Sequence, residues 1–277
     1  MHLSDQARLE ERSGVRYVEH AHIERHEHGV ESTTDAGSAA IPVARLHALL
    51  IGPGTTISQA ALVLAAQNGC AVHAVRSDGT TVVAFGAPLT SEYPLLGAQA
   101  QTASDAARRL ASIRWQLHRR FPDACLPDGD NVERLRGMEG RLQRSLYSAV
   151  ARDHRISWRC RSTSLPWEDL DPPNRLLSTA TGVLHSVVHV GVDAIGVSPH
   201  LGIFHRTKHR GFVYDIADLY KAKICVAPAF ARAREVMEGR ELDDAVRACR
   251  SDVVEATARS DFWREFTADV RSVIGVP

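Results

Sequence analysis

Short alternations of apolar and polar residues fill the first third of the chain, and a 3.6-residue period takes over after it. VRYVEHAHIE (15–24) reads as one strand with HEHG (26–29) as its turn, and IPVARLHALLIG (41–52) as another. CAVHAV (70–75) and TTVVAF (80–85) flank Ser77-Asp78-Gly79, a hairpin signal of the Asp-Gly kind. GPGTT (52–56) is a turn. One helix interrupts the strands: Ser58 can cap it, AALVLAAQN (60–68) propagates it, and Gly69 sits where a helix stops. The composition shifts at GAPLTSEYP (86–94), as expected of a connector. Helical periodicity then predicts helices over 95–120, 130–153, 173–195, 215–236, 242–258 and 261–274, with Asp171-Pro172-Pro173-Asn174 as a start signal for the third. The expected class is α+β. A small β-rich N-terminal domain with one helix (1–88) is followed by a linker (89–94) and a larger all-α domain (95–277) that carries the chemistry.

Composition narrows the setting. A chain of 277 residues with 44% hydrophobic and 24% charged residues is globular rather than disordered. Its most apolar region, Leu176 to Val197, is broken by His185, His189 and Asp193, so no membrane span is expected. The start, MHLSDQARLEERSG, lacks the apolar core of a signal peptide. Five cysteines without a CxxC pair suit a reducing compartment, and a cytoplasmic protein is expected. Basic and acidic residues balance at 33 each, but residues 101–161 hold thirteen arginines against seven acids, and all three lysines (208, 221, 223) fall in one short window. A concentrated basic face on a neutral chain fits a polyanionic partner.

Local rules break in two places. Within 130–153, Val132, Leu135, Leu142, Leu146 and Val150 share a helix face, and Glu139 falls inside that stripe between Gly137 and Gly140. A carboxylate there needs a cation, either a metal ion or an arginine such as Arg136 one turn away. The glycines remove bulk, which would let something large approach. In IFHRTKHRGFVYDIADLYK (203–221), an apolar run turns acidic where a helix is expected to begin. Asp215 and Asp218 could share one side of its first turn, either as ordinary dipole-favoured acids or as ligands. His205 lies on a loop-like stretch thirteen residues before Asp218. Glu139, His205 and Asp218 together would make a mixed carboxylate–imidazole site for a hard divalent ion, with Lys208, Arg210 and Lys221 beside it for a phosphate-bearing substrate. His20, His22, His26 and His28 read as an exposed polar hairpin rather than a metal site, since acids interleave them. No nucleotide-binding glycine loop and no serine-nucleophile elbow occurs.

LRGMEG (135–140), the helix near 173–195, GIFH (202–205) and FVYDIAD (212–218), in this order and spacing, closely resemble the CRISPR-associated spacer-acquisition integrase family, the Cas-one family. PGTTISQAALVLAAQNG (53–69) and DDAVRACR (243–250) extend the likeness over nearly the whole chain, closest to the Cascade-associated subtype I-E branch. The resemblance implies a metal-dependent DNA integrase and endonuclease that inserts short captured duplexes into a repeat array. It would act as a homodimer, with a small ferredoxin-like Cas-two partner dimer between two such dimers. It implies Glu139, His205 and Asp218 as ligands of Mg²⁺ or Mn²⁺, Asp215 as a supporting acid, and Arg136, Lys208, Arg247 and Arg250 as DNA contacts. Thr56 and Val63 depart from it, standing where relatives of that branch can carry arginines, and Tyr17 and His20 both compete as the wedge against a duplex end. A general metal-dependent nuclease on branched DNA and a non-catalytic DNA-binding scaffold are the alternative readings of the same residues.

Overall fold

A computed structural model describes residues 14–27, 29–76, 82–86, 94–129, 131–162 and 165–276. Eight strands and nine α-helices appear among them, all the strands and one helix up to Gly86 and the other eight helices after it. This is the expected α+β order. The Ser77-Asp78-Gly79 hairpin tip and most of the expected linker lie outside the described residues.

The strands form two four-stranded sheets. In the first, β1 (Val15–Val18), β5 (Ala48–Ile51) and β7 (Ala71–Val75) run parallel, and β8 (Val82–Gly86) pairs antiparallel with β7. The β5 run Ala-Leu-Leu is buried throughout, as strands covered on both faces are. One face packs through Leu49 and Val72 against α1 (Gln59–Gln67) and the second sheet; the other presents Ala48, Leu50, Ala71 and Val75 to Val190 of the helical part. The second sheet has the order β4 (Gly37–Ile41), β3 (Gly29–Thr34), β2 (His22–His26), β6 (Thr56–Ile57).

VRYVEHAHIE is therefore two strands, not one. His20 takes φ +49°, and its N–H donates to the Pro53 carbonyl, so the chain turns a corner and β1 and β2 enter different sheets. The run 41–52 also divides, because Pro42 offers no N–H and a single 3₁₀ turn at Val43–Arg45 buries Val43 before β5 begins. The β3–β4 hairpin was not predicted: GVESTTDAGSAAI shows little apolar alternation, and only Val30, Ser32 and Ile41 of the two strands are buried. Helix α1 is as expected, with the Ser58 side chain accepting from Ala61 N–H and Gly69 at φ +70° after its end.

The helical part is built around α5 (Pro172–Ile195). Asp171 caps it by accepting from Asn174 N–H, the two prolines occupy its first positions, and Gly196 ends it at φ +81°. It is buried nearly all round and packs against α6 (Gly211–Lys221), α7 (Ala227–Met237), α8 (Leu242–Ala258) and strand β7. The expected helix 95–120 is two, α2 (Pro94–Ser104) and α3 (Ala106–Arg120). Asp105 bends out of the helix and its side chain accepts from Arg108 N–H, restarting the chain within an unbroken apolar rhythm. The expected helix 215–236 starts at Gly211 and carries a π-helical segment, Ala222–Val226, between α6 and α7. Helices α4 (Val132–Asp153) and α9 (Ser260–Val273) complete the bundle.

Candidate active site

The loop 197–210, between α5 and α6, carries His205. Its fold depends on one carboxylate. Asp215, 1% exposed, accepts from the backbone N–H groups of Ile203 (2.6 Å), Phe204 (3.1 Å) and His205 (2.9 Å), and from His205 Nδ1 (2.8 Å). With Nδ1–H donated there, Nε2 is the ring atom left to face Asp218, whose Oδ2 lies 3.9 Å away. Gly202 and Gly211 let the loop close: a Cβ on Gly211 would collide with the His205 carbonyl and lie 3.0 Å from Gly202 Cα. Because α6 starts at Gly211, Asp215 and Asp218 stand in its body and no acid lies in its first turn, so helix-dipole attraction does not account for them.

Asp218 and Glu139 meet across a guanidinium. Arg120, the last residue of α3, places Nη2 2.8 Å from Glu139 Oε1 and 2.9 Å from Gln143 Oε1, with Nη1 3.7 Å from Asp218 Oδ2. Its side chain is only 5% exposed, and its charge lies 5.1 Å from the centre of the Phe121 ring. Lys221 Nζ approaches Asp218 Oδ1 at 3.4 Å. Burial alone would push the Asp218 carboxyl up, but Arg120, Lys221 and His205 together hold it well below the usual carboxylate range. The same logic raises His205: burial disfavours the imidazolium, and the hydrogen bond and charge of Asp215, helped by Asp218 and Glu139, outweigh it.

Of the expected DNA contacts, Arg136 and Lys208 come to this place and Arg247 and Arg250 do not. Arg136 and Lys208 line one cleft with Glu139, Phe204, His205 and Thr207. Arg136 donates to the Phe204 carbonyl at 2.9 Å and pairs with Glu133, so it braces the histidine loop rather than answering Glu139. Arg247, exposed on α8, pairs with Asp244; Arg250 lines a separate cleft with Tyr17, Glu19, Leu50 and Val183. The arginine that Glu139 does meet, Arg120, was missed in the sequence, where nothing singles it out within an arginine-rich stretch. His22 hydrogen-bonds Thr56 at 2.7 Å on the exposed β2–β3 hairpin, while His28 lies outside the described residues. Among the described residues, no three His, Cys, Asp or Glu side chains as placed are gathered closely enough to hold a metal ion. In the Glu139–Asp218 pair it is the guanidinium that bridges the two carboxylates.

Fold and site together define a two-part α+β protein whose helical half turns two carboxylates toward one guanidinium, with an imidazole beside one of them. The chain belongs to the family described as CRISPR associated protein Cas1, whose model matches residues 17–121 and 112–252. It is 39% identical over 201 residues to the CRISPR-associated endonuclease Cas1 1 of Rhodospirillum rubrum, covering 72% of this chain and 64% of that protein, so the match spans less than two thirds of the relative. It is 38% identical over 226 residues to the CRISPR-associated endonuclease Cas1 2 of Thermus thermophilus, 81% of this chain and 69% of that one. Its fold superimposes on a crystal structure of a TtCas1–DNA complex with TM-score 0.80 and 34% identity, covering 95% of this chain and 91% of the other. That solved relative shares the order seen here, a β-rich region followed by a helical one. No helix of the described residues is long and apolar enough to cross a membrane.

Proposed function

We propose that this chain is a cytoplasmic, divalent-metal-dependent DNA integrase and endonuclease of CRISPR adaptation, of the subtype I-E branch, which joins short captured duplexes to a repeat array. One observation carries the reading: Glu139 from α4 and Asp218 from α6 are both drawn to a single cation, with His205 Nε2 beside Asp218. Two carboxylates on one cation with an imidazole beside them are a donor set that suits Mg²⁺ or Mn²⁺, so Glu139, His205 and Asp218 fit as its ligands. When bound, the ion supplies Lewis-acid polarisation of the phosphoryl oxygen and charge stabilisation in the in-line displacement. Asp215 keeps His205 in one tautomer with Nε2 presented, the usual outer-shell arrangement for a histidine ligand. Arg136 and Lys208 flank Glu139 and His205 and hold substrate phosphate there, while Arg247 and Arg250 grip the duplex further along the chain's surface. In the reaction a 3′-hydroxyl oxygen bonds to phosphorus, the bond to the departing 3′-oxygen breaks, and that oxygen ends with a proton. One phosphodiester replaces another, so no nucleotide fuel is needed. Two homodimers flanking the small Cas-two partner dimer form the assembly in which the chain would hold both duplex ends.

The test is strand transfer by purified protein with that partner, using a fluorescent short duplex and a supercoiled repeat-bearing plasmid. Label joined to plasmid only with metal and only with His205 intact is the expected result, and His205→Ala leaves the label free. Released fragments with no joined label would instead make the chain a general nuclease, and unchanged joining by His205→Ala would remove the histidine from the centre.

A further inference from the structure

The charge balance around Glu139 and Asp218 leaves little room for an additional cation. Arg120 holds Glu139, Gln143 and Asp218 from a nearly closed position, and Lys221 lies against the other oxygen of Asp218. A divalent ion on Glu139, His205 and Asp218 would draw on the same two carboxylates that Arg120 now pairs, and the two cations would repel each other there. The fork has somewhere to go. Arg120 also lines a large cleft with Phe121, Gln143, Asp218, Lys223 and Glu265, a cleft that shares no lining residue with the one formed by Glu139 and His205. Its neighbour Arg119 is tied to Glu265 and Asp269 of α9, so the end of α3 stays anchored when the Arg120 side chain alone moves.

We propose that Arg120 is an exchangeable internal cation: it pairs Glu139 and Asp218 in the metal-free protein and competes with the divalent ion for them. The inference rests on the reading of Glu139, His205 and Asp218 as the metal site. Arg120 is then a positioning residue. It keeps two half-buried carboxylates from facing each other without compensation, at the cost of weaker ion binding, since charge count at a hard-cation site sets affinity. Displaced, the guanidinium swings into the larger cleft, where it is free to meet a phosphate oxygen in the bidentate way its fork favours.

The experiment measures Mn²⁺ binding by calorimetry, and thermal midpoints with and without Mn²⁺, on the full-length protein. For Arg120→Gln the expected result is Mn²⁺ bound about tenfold tighter, a lower midpoint without metal, and a larger rise in midpoint when Mn²⁺ is added. Arg120→Lys, which keeps the charge but has no fork to span both carboxylates, is expected to bind Mn²⁺ a few-fold tighter and decides the matter if the glutamine variant does not fold. Unchanged or weaker Mn²⁺ binding by these variants, with binding lost in Glu139→Gln, would overturn the competition and leave the metal site standing. Wild-type Mn²⁺ binding retained by both Glu139→Gln and Asp218→Asn would instead overturn the metal site itself, and the role of Arg120 with it.

Discussion

Asp215 carries more of the centre's geometry than either carboxylate that faces the clefts. One buried side chain satisfies three consecutive backbone N–H groups and fixes the ring of His205. An amide in its place has one acceptor oxygen and brings two donors of its own, so at least one buried N–H loses its partner. Asp215→Asn should therefore lower stability by ~1–3 kcal/mol and abolish strand transfer. Denaturant titration and the His205 ring ¹⁵N shifts check this: unchanged stability with an unchanged tautomer would show that the loop is organised by other contacts. The sequence offered Asp215 only as a supporting acid three residues from Asp218; that it folds the histidine loop could not be read before the start of α6 was known. Glu139 stood out because it interrupts an apolar stripe between glycines. Its partner Arg120 lies 19 residues earlier on another helix, and no spacing rule connects them. Only the packing of α3 beside α4 and α6 does.

The helices show which local signals survive folding. In α4 the expected stripe is only partly realised: Leu135 is buried, the other expected positions are half-buried, and Tyr147 and Ala151 supply the rest. The glycines within it have no internal reason to be glycine. A Cβ on Gly140 would meet only the tip of Arg144 at 3.5 Å, and one on Gly137 only that of Arg141 at 3.9 Å. Gly140→Ala should thus stabilise the protein, by up to ~1 kcal/mol through helix propensity, while weakening DNA binding if that open face receives the duplex. Gly211→Ala is the contrasting case. Its Cβ would strike the backbone of the very loop that presents His205, and should destabilise by ~1–3 kcal/mol. Thermal melts of the pair measure the difference, and a stabilised Gly211→Ala would contradict the close approach of Gly202 and Gly211. Helix α5 holds a signal that the sequence displayed and that served there only to exclude a membrane span. His185, His189 and Asp193 recur every fourth residue on a buried helix, a polar line through an apolar element. His185 lies edge-on to Tyr214 of α6, beside the loop that carries His205, and the other two reach His73 of the sheet. The split of 15–24 into β1 and β2 had no such mark, because the corner at His20 is a backbone event within an uninterrupted alternation.

Between the sheet and the helices the contact is made by buried imidazoles as much as by aliphatic side chains. His47 lies tilted against Trp263 of α9, ring centres 4.0 Å apart, and His73 of β7 and His189 of α5 both approach Asp193 Oδ2, at 3.6 and 3.5 Å. These separations would suit ion pairs, yet burial outweighs the attraction. It lowers His73 to about 3, with His189 adding to the effect, lowers His189 to about 4, with Arg210, His200 and His209 adding, and raises Asp193 to about 7. Near neutrality His73 and His189 are therefore uncharged, beside a carboxyl close to its own midpoint. The unfolded chain behaves differently: its histidines take up protons below about 6.5, and its aspartate sheds its own above about 4. Between about pH 4 and 6.5 the unfolded chain therefore carries two histidine protons that the folded junction refuses, while the folded junction keeps one on Asp193 that the unfolded chain has lost. The difference is one proton in favour of the unfolded state. Stability should fall on acidification through this window, on the order of 1 kcal/mol per pH unit. Asp193→Asn removes the opposing proton and leaves two, so its stability should fall about twice as steeply with acid, although the variant is no less stable near pH 7, where the wild-type carboxyl is costly to ionise. Urea titrations at pH 7, 6 and 5 on both proteins measure the slopes. Equal slopes would mean that Asp193 is ionised throughout the window beside neutral His73 and His189, and a nearly flat wild-type slope would mean that these contacts are true ion pairs.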